Sequence, residues 1–485
     1  MAQHNETIKI GLFGIGLDTY WPQFDGLRDR LVGYQQVIAQ RLARPGIEVI
    51  DCGLIDNPVA AQQAAERLKR EDVSLIFLYV STYALSSTVL PVVQKTKVPV
   101  VVLNLQPVAA IDYAAFNSMG DRTQMTGEWL AHCQACSVPE IANVFMRAGI
   151  TFQQVTGVLN DDPIAWSEIN AWVEAARVAA VMRNNRVGLL GHYYGGMLDI
   201  YSDLTRHAAQ FGCHFEILEM CELKAIREKV AESDIDAKVA AIHEQFDVQP
   251  DCDATEIRRA AQTAVALDQF VARHNLGSIA YFVNGTGDEQ YVDLVASVIV
   301  GNSMLTAQGV PVAGEFEVKN VQAMKILDAF GVGGSFTEFY AFDFNDDVIL
   351  MGHDGPGHTR IAEGKTKLKP LKVYHGKVGH GLSVEMSVKN GPVTLLSVID
   401  APDGVLKLLV AEGESVPGPI LEIGNTNSRY RFAIGYCAGG NHARGFIDAW
   451  CSYGPAHHCA IGIGHIADQL EKLAKILKME IIRVC

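Results

Sequence analysis

The sequence has no excess of basic residues and no long apolar run. Its 485 residues include 40 Lys and Arg against 55 Asp and Glu, which gives a formal net charge of −15. A chain this acidic is a poor partner for nucleic-acid phosphates or anionic lipid surfaces. No stretch approaches the roughly 18 uninterrupted apolar residues of a membrane-spanning helix. These absences exclude nucleic acid and membrane as the main partners and favour a small molecule.

Cysteine is sparse for the length of the chain. Ten cysteines are scattered from Cys52 to Cys485, which fits reduced thiols better than the disulfide framework of a small secreted protein. Cys133-Gln-Ala-Cys136 is one CxxC motif without a second such pair. We interpret it as ordinary buried or surface thiols, with a zinc or redox site as the alternatives. The first residues lack a basic segment followed by an apolar one, so we expect a cytoplasmic protein.

The first third of the sequence alternates β-branched runs with helical stretches. Such runs lie at residues 8–16, 47–53, 74–80 and 98–104. Apolar strands separated by helices are typical of a parallel sheet that is covered on both faces. We therefore expect a doubly wound, Rossmann-like α/β domain at residues 1–183.

A second alternation runs from strand-like residues 185–194 to 278–284 and predicts a middle α/β domain at residues 184–330. From about residue 331 the pattern changes to period two, with hairpin signals at Asn390-Gly391 and Asp403-Gly404. The third part, residues 331–485, is predicted to be a mostly antiparallel β domain that ends in an amphipathic helix.

The segment after the first predicted strand is a candidate ligand loop. Its glycines do not complete the dinucleotide motif G-x-G-x-x-G, because the third position is Thr19. Asp18, Tyr20 and Trp21 follow at the edge where open α/β sheets bind ligands. Aromatic and polar groups together suit the faces and hydroxyls of a sugar, and a surface turn with Trp21 packed inward is the alternative interpretation.

A carboxylate lies within an aromatic strand in the third part. Phe336, Glu338, Tyr340, Phe342 and Phe344 share one parity, so a regular strand would point all five side chains to one face. An ionised carboxylate there is costly unless it is exposed, protonated or held by a cation.

A predicted hairpin would bring His353 close to the carboxylate of Glu338. A two-residue turn at Asn345-Asp346 pairs Glu338 directly with His353, with their Cβ atoms about 4.5–5.5 Å apart. A turn centred one residue later would pair Glu338 with Gly355 instead. Glu338 and His353 are thus candidate ligands of one metal ion, and the alternatives are a buried Glu–His hydrogen bond or a partly exposed strand face.

Further ligands are needed for a metal ion, and the candidates are Glu315 and the pair His457-His458. Glu315 precedes a predicted helix, so the helix dipole alone also explains a carboxylate there. Adjacent histidines point in different directions, so at most one of the pair binds the same ion. Two carboxylates with one or two imidazoles suit a divalent ion of the Mn²⁺ type, which makes Lewis-acid chemistry possible.

At these residues the chain resembles the L-arabinose isomerase family, within the wider L-fucose/L-arabinose isomerase group. The order and spacing of three motifs carry the resemblance over roughly 150 residues of the chain. The matching stretches are AGE with Lys319 (Ala313-Gly314-Glu315), GGSFTE with Tyr340 and Gly352-His353 (Gly333 to Glu338), and Ala449-Trp450 with Gly454 and Ala456 to His458.

The resemblance implies a metal-dependent aldose–ketose isomerase that works through an enediol intermediate. It places the ligands of a Mn²⁺ ion, or of another divalent ion such as Co²⁺ or Mg²⁺, at Glu315, Glu338, His353 and one residue of the His457-His458 pair, which we take to be His458. Glu315 and Glu338 would also move the proton between C1 and C2.

The resemblance also implies a homo-oligomer, a hexamer or trimer, with active sites at subunit interfaces. Substrate contacts would then come from an N-terminal domain, at Tyr20, Trp21, Asn104, Gln106 and Met125. Met125 stands where the family usually has a histidine, so a sugar other than L-arabinose is expected. The alternatives are a metal-dependent sugar epimerase or dehydratase and a sugar-binding protein without turnover.

Overall fold

The computed structural model describes residues 7–283, 289–372, 380–432 and 442–485. The described residues form two compact units, one that ends at Ala180 and one from Val181 to Cys485. In these described ranges no helix is both long and apolar enough to cross a membrane.

The N-terminal unit contains one parallel sheet of five strands in the order β2-β1-β3-β4-β5. Four of these strands coincide with the β-branched runs of the sequence. The apolar side chains of β1, β3 and β4 are buried on both faces, as expected for a covered parallel sheet, whereas the edge strand β2 is only partly buried. The strands are β1 Ile8–Ile15, β2 Ile47–Ile55, β3 Leu75–Tyr79, β4 Val100–Gln106 and β5 Phe152–Val158.

Seven helices surround this sheet. Several begin at polar capping residues, because a side-chain oxygen satisfies backbone N–H groups that the first turn leaves open; Asn57, Asp112 and Asp121 do so here. The helices are α1 Leu27–Leu42, α2 Pro58–Arg70, α3 Ser86–Thr96, α4 Tyr113–Ser118, α5 Arg122–Leu130, α6 Gln134–Arg147 and α7 Pro163–Arg183.

The C-terminal unit opens with a second α/β region. Its parallel sheet has the order β10-β9-β6-β7. Its elements are β6 Arg186–Gly191, α8 Leu204–Phe211, β7 His214–Leu218, α9 Met220–Arg227, α10 Glu232–Gln245, β8 Asp247–Val248, α11 Ala254–His274, β9 Ser278–Phe282, α12 Glu289–Ala296, α13 Val298–Ala307 and β10 Val312–Ala313.

Helix α14, Val318–Ala329, follows β10 and is buried on almost every side. Two polar side chains near its start donate hydrogen bonds inside the protein. Lys319 Nζ donates to the backbone oxygen of Asp199 at 2.5 Å, and Asn320 Nδ2 donates to that of Cys459 at 3.3 Å. The helix is therefore held rigidly at its N-terminal end.

The rest of the unit is built around a large, mostly antiparallel sheet in the order β15-β18-β11-β12-β17-β16-β19. Because β15 also pairs with β16, six of these strands close into a ring. The elements are β11 Gly333–Asp343, β12 Val348–His353, β13 Lys367–Pro370, β14 Leu382–Glu385, β15 Gly391–Asp400, β16 Leu406–Val416, β17 Thr426–Arg431, α15 His442–Cys451, β18 His458–Ile463, α16 Ala467–Leu477 and β19 Glu480–Arg483.

The predicted hairpin at Asp403-Gly404 is confirmed, since it joins β15 to β16. The predicted hairpin at Asn390-Gly391 is wrong. Met386 and Val388, just before β15, make isolated bridges to Thr426 and Ala362 and do not fold back on β15.

The predicted fold class is confirmed: two parallel α/β regions precede a mostly antiparallel region. A small third sheet of the C-terminal unit, β14-β13-β8, links the second α/β region to the antiparallel region, because β8 pairs in parallel with β13. Both regions also contribute to one core cluster, from Leu190 to Ile461. The boundary near residue 330 stays a prediction.

Candidate metal and active site

Three neighbouring strands of the ring bring Glu338, His353 and His458 together. Glu338 on β11 lies opposite His458 on β18, and on its other side it faces Gly352 of β12. His353 is the next residue of β12. One ligand atom from each of Glu338, His353 and His458 lies within 4.8 Å of those of the other two.

The direct pairing of Glu338 with His353 is wrong by one residue. Near the turn the predicted register is present, because Asp343 pairs with Val348. A bulge between Phe339 and Ala341 then shifts the strand, so that Glu338 faces Gly352. His353 is left as a diagonal neighbour, which keeps it within the cluster.

The same bulge divides the aromatic stripe. Phe336 is buried, whereas Phe342 and Phe344 beyond the bulge are 40% and 55% exposed. The expectation that all five side chains share one face is therefore wrong. Phe336 packs between the two imidazoles, with its ring centroid 4.5 Å from that of His353 and 4.3 Å from that of His458.

Glu315 reaches the cluster from the loop between β10 and α14. It and Phe316 both have left-handed backbone conformations, with φ of 55° and 64°. Non-glycine residues adopt this conformation at an energetic cost and are found disproportionately at functional sites. Glu315 lies before the helix and not within it, because Glu317 is the residue that caps α14.

His458 is fully buried, and its two ring nitrogens have different surroundings. Nδ1 lies 2.5 Å from Oε2 of Glu317, whose side chain is also buried. Nε2 lies 3.4 Å from Oε2 of Glu315, and both of these atoms are buried without a hydrogen-bond partner. Burial lowers the pKa of His458 to about 3 and raises the pKa of Glu317 to about 8, so the pair favours its neutral forms.

His353 has a similar arrangement. Its Nδ1 lies 2.5 Å from the backbone oxygen of Asp354, which can only accept, so Nδ1 carries the hydrogen and Nε2 keeps a free lone pair. Burial lowers the pKa of His353 to about 3. Both buried imidazoles are therefore neutral at physiological pH, which is the form that binds metals.

His457 differs from His458 in exposure and charge. Its side chain is 37% exposed, its Nδ1 donates to Oδ2 of Asp199 at 2.6 Å, and its Nε2 lies 3.7 Å from Oε2 of Glu315. Burial lowers its pKa, but the contacts with Glu315 and Asp199 outweigh burial and raise that pKa to about 9. His457 is thus an imidazolium, although it lies close enough to form a second group with Glu315 and His458.

The charge of Glu315 follows from these imidazoles. Burial raises the pKa of its carboxyl, but the contact with the charged His457 is the largest of the effects that outweigh burial and hold the pKa below its ordinary value. Glu315 is consequently a carboxylate at neutral pH. The donor set of two glutamates and two neutral imidazoles, with buried ligand atoms that lack partners, fits a divalent first-row cation.

A cavity of about 460 Å³ opens onto this cluster. Glu315, Glu338, His353 and His457 contribute its polar wall. Aromatic and aliphatic side chains line the rest of the cavity, and Tyr340 among them accepts a hydrogen bond from Nδ2 of Asn425 at 2.9 Å. The apolar part of the wall includes Tyr194, Met197, Tyr281, Phe282, Leu421 and Ile423.

The five predicted substrate contacts belong to the N-terminal unit. Tyr20 ends a short turn after β1, and Trp21 packs partly inward with its Nε1 donating to Asp56 at 2.8 Å. Asn104 and Gln106 lie at the carboxyl end of β4, and Met125 lies within α5. They occupy the ligand-binding edge expected of such a sheet or the helices after it, and their roles stay predictions.

Glu317 and Asp199 were not identified from the sequence. Glu317 had a signal, because it follows Glu315 by two residues directly before a helix. Asp199 lies in a loop after β6 without a motif of its own, and only the fold brings it to His457.

The fold and the site together define an α/β protein with a buried carboxylate–imidazole centre at the wall of a closed β ring. Residues 341–484 match the family described as L-fucose isomerase, C-terminal domain. His353 and His458 lie inside that range.

Three curated proteins named L-arabinose isomerase are similar to most of the chain. One from a Nocardioides species is 23% identical over 356 residues, 71% of this chain and 68% of its own length. One from an Arthrobacter species is 23% identical over 370 residues, and one from Acidothermus cellulolyticus is 22% identical over 358 residues. These cover 71% of this chain and 67% and 69% of their own lengths. The resemblance to the L-arabinose isomerase family is therefore confirmed.

Proposed function

We propose that this chain is a metal-dependent aldose–ketose isomerase that acts on a small sugar. The names of the similar proteins support a sugar isomerase. The observation that carries the metal-dependent part is the convergence of two carboxylates and two neutral imidazoles, with Glu315 Oε2 and His458 Nε2 buried 3.4 Å apart and without hydrogen-bond partners.

Glu315, Glu338, His353 and His458 would hold the cation. His458 is preferred over His457 because its Nε2 is buried and uncommitted, whereas His457 is charged and bonded to Asp199. The donor set suits Mn²⁺, and Co²⁺ or Mg²⁺ are further candidates. When bound, such a cation acts as a Lewis acid toward the carbonyl and hydroxyl oxygens of a sugar.

The chain's own carboxylates would move the proton. Glu315 is ionised and faces the cavity, so one of its oxygens can accept the proton from C2 or C1 and return it to the neighbouring carbon. Glu338, which pairs with His458 across β11 and β18, is the second candidate for this transfer. The sugar passes through an enediol in such a transfer.

The walls of the cavity support a monosaccharide as the substrate. Its volume of about 460 Å³ lies within the range of small-molecule sites, about 300–1,000 Å³. Aromatic rings such as those of Tyr194 and Phe282 can pack against the apolar faces of a sugar and keep water from the reacting carbons.

The proposal includes a cytoplasmic homo-oligomer, a hexamer or a trimer. In it, the N-terminal unit of one copy would complete the cavity of another through Tyr20, Trp21, Asn104, Gln106 and Met125. This arrangement is taken from the family resemblance.

The reaction can be tested by NMR in D₂O with the metal-stripped chain, a panel of aldoses and ketoses, and Mn²⁺ added or withheld, the ion being chelated before spectra are recorded. We expect Mn²⁺-dependent conversion of one aldose to its 2-ketose. Deuterium at C1 of the ketose, or at C2 of the recovered aldose, would report exchange of the transferred proton with solvent. Formation of an epimer or a dehydrated sugar, or no conversion by chain that binds the ion tightly, would contradict the isomerase assignment.

A further inference from the structure

Tyr340 and Asn425 both line the cavity onto which the proposed metal cluster opens. Tyr340 is the bulged residue of β11, and its hydroxyl accepts a hydrogen bond from Nδ2 of Asn425 at 2.9 Å. A tyrosine hydroxyl can accept one hydrogen bond and donate another. Because Asn425 is the donor here, the hydrogen of the Tyr340 hydroxyl is left for a further acceptor, and the described residues supply none.

The orientation of the Asn425 amide follows from the backbone of Leu421. The backbone N–H of Leu421 can only donate, and it meets Oδ1 of Asn427 at 3.0 Å. Nδ2 of Asn427 therefore points the other way, toward the backbone oxygen of Leu421 at 2.8 Å and toward Oδ1 of Asn425 at 2.9 Å. A flip of the Asn425 amide would set two N–H donors against each other. Asn425 is thus left with its own Nδ2 facing Tyr340.

Burial makes this chain of hydrogen bonds hard to rearrange. Asn425 and Asn427 are each 2% exposed, so an amide that turned away from its partner would leave a polar group buried and unpaired. Ser383 Oγ also donates to the backbone oxygen of Gly424 and so holds the residue before Asn425. The direction of the hydrogen bond to Tyr340 is therefore fixed by the fold before any ligand enters the cavity.

We propose that Asn425 is a positioning residue that directs the hydroxyl hydrogen of Tyr340 into the cavity, where Tyr340 donates it to an oxygen of the bound sugar. This inference rests on the proposed sugar isomerase function. A donor of fixed direction selects among sugars, because a sugar that presents no oxygen at that position leaves the donor unpaired. Tyr340 is then the substrate contact, and Asn425 acts through it.

The replacement Asn425→Asp reverses the direction of the hydrogen bond. The aspartate has nearly the shape of asparagine and still accepts from Asn427, but its second oxygen accepts the hydrogen of the Tyr340 hydroxyl and draws it away from the cavity. Two donors that face the carboxylate favour its ionised form. Tyr340→Phe removes the same hydrogen outright, so the two variants should have similar effects.

The test measures the affinity of the full-length, Mn²⁺-loaded chain for a panel of four- to six-carbon alditols by calorimetry at pH 8, and the KM of whichever aldose wild type converts. Asn425→Asp and Tyr340→Phe should each weaken alditol binding by about 2–10-fold, the effect of one neutral hydrogen bond, and raise KM to a similar extent. The double variant is decisive. Since Tyr340→Phe leaves no hydrogen to direct, adding Asn425→Asp to it should cause no further loss of affinity.

Asn185→Asp is the matched control, because Asn185 is a buried amide that donates to Ser278 Oγ at 2.9 Å and does not line the cavity. It should leave alditol affinity and KM unchanged. Asn425→Ala takes the place of Asn425→Asp in the same comparison if the aspartate variant does not fold, and its loss should likewise vanish in Tyr340→Phe.

Three results would overturn the proposal: unchanged alditol affinity in the folded Asn425 variant, an equal loss with and without the Tyr340 hydroxyl, or no alditol binding by wild type. The second result would show that Asn425 acts only through the structure of the loop. Failure of the isomerase assignment is seen separately, as wild type that binds an alditol but forms no ketose, and the alditol affinities then still decide the role of Asn425.

Discussion

His458 has one ring nitrogen engaged and one left open. The fully buried Glu317 lies at its Nδ1, so a cation at Nε2 would leave the hydrogen on Nδ1, where it is donated to Glu317, and the charge of the cation would favour the ionised form of that carboxyl. Partners of this kind fix the tautomer of a metal-binding histidine and raise its basicity. Glu317 is therefore a positioning residue for the proposed metal site.

Replacement of Glu317 by Gln should weaken metal binding. The amide cannot supply the negative charge that Nδ1–H of a metal-bound His458 favours. Loss of such a partner typically costs about 10–100-fold in metal affinity. Titration calorimetry of the metal-stripped chain with Mn²⁺ measures this change.

Glu385→Gln is the matched control for this experiment. Glu385 is also a buried glutamate, but it forms ion pairs with Lys367 and Lys369 in the small third sheet. Its replacement should lower stability and leave Mn²⁺ affinity unchanged. Equal losses of affinity in the two variants would show that Glu317 acts only through folding.

Replacement of Glu338 by Gln should remove turnover. Its carboxylate is both a proposed ligand and a proposed proton carrier beside His458. Loss of a general acid–base group costs about 10²–10⁴-fold in rate. The initial rate of ketose formation is the measurement, with Glu232→Gln, at a largely exposed carboxylate, as the control. A rate close to wild type would exclude a catalytic role for Glu338.

At this scale the sequence predicted four candidate ligands through motifs. The structure places ligand atoms of Glu338, His353 and His458 within 4.8 Å of one another, and it places Glu315 beside His458. It did not predict Asp199, because the contact of Asp199 with His457 joins a loop after β6 to the start of β18. No local pattern records a contact between residues so far apart in the chain. Glu317 was within reach, but its carboxylate could equally have capped the following helix through solvent-exposed contacts.

At the scale of elements, the hairpin of β11 and β12 shows why counting residues from the turn does not predict the register of the whole hairpin. Turn residues set the register where the hairpin begins, at Asp343 and Val348. A bulge adds one residue to one strand, and alternation of residue types does not reveal it. The bulge at Tyr340 places Glu338 against Gly352 and leaves His353 to turn toward the cluster.

At Gly352 the backbones of β12 and β17 lie too close together for a side chain. A Cβ atom there would lie 1.8 Å from the backbone oxygen of Thr426 on β17. Gly352→Ala should therefore push β12 and β17 apart and lower the free energy of unfolding by about 1–3 kcal/mol or more. Because His353 is the next residue, Mn²⁺ affinity should fall as well. Urea unfolding and calorimetry measure the two effects.

Gly33→Ala provides the contrast. Gly33 lies in α1, and a Cβ atom there would meet no other atom within 4 Å. Alanine in a helix interior is favoured over glycine by about 1 kcal/mol. This variant should be slightly stabilised and should bind Mn²⁺ as wild type does. A Gly352→Ala chain that is equally stable would contradict the close packing of β12 on β17.

For the whole molecule, the sequence predicted the change from parallel to antiparallel structure. The apolar runs of the first two regions and the alternation of the third carry that information locally. The hairpin of β15 and β16 was predicted, but the pairings of β15 with β18 and of β16 with β17 that complete the ring, and the pairing of β8 with β13, were not. The β8–β13 pairing joins segments more than a hundred residues apart, and neither it nor the closure leaves a periodicity in either strand.

Acid should destabilise the C-terminal unit through buried histidines outside the metal cluster. Burial lowers the pKa values of His207 and His358 to about 4 each, from 6.5. Below pH 6.5 these two histidines bind protons in the unfolded chain but stay neutral in the folded chain. The contribution of each histidine to the free energy of unfolding is thus fully present above pH 6.5. It falls by about 1.4 kcal/mol per pH unit below that and is lost as the pH falls through about 4.

Urea unfolding between pH 7.5 and pH 4.5, followed by circular dichroism, measures that slope. His358→Gln should reduce the slope by the contribution of one histidine, whereas replacement of the exposed His214 by Gln should leave it unchanged. Identical slopes in wild type and His358→Gln would show that His358 is not held neutral in the folded state.

The proposed metal centre is tested most directly by measuring how many cations each chain binds and whether that binding needs His458. The account predicts one cation per chain, bound through His458. The measurement is electron paramagnetic resonance of Mn²⁺ titrated into the metal-stripped full-length chain, His457→Asn and His458→Asn. Wild type and His457→Asn should each bind one equivalent of Mn²⁺ and so lower the signal of the free ion by that amount. His458→Asn should bind far less. Binding that survives in His458→Asn but is lost in His457→Asn, or an absence of binding by folded wild type, would contradict the proposed centre.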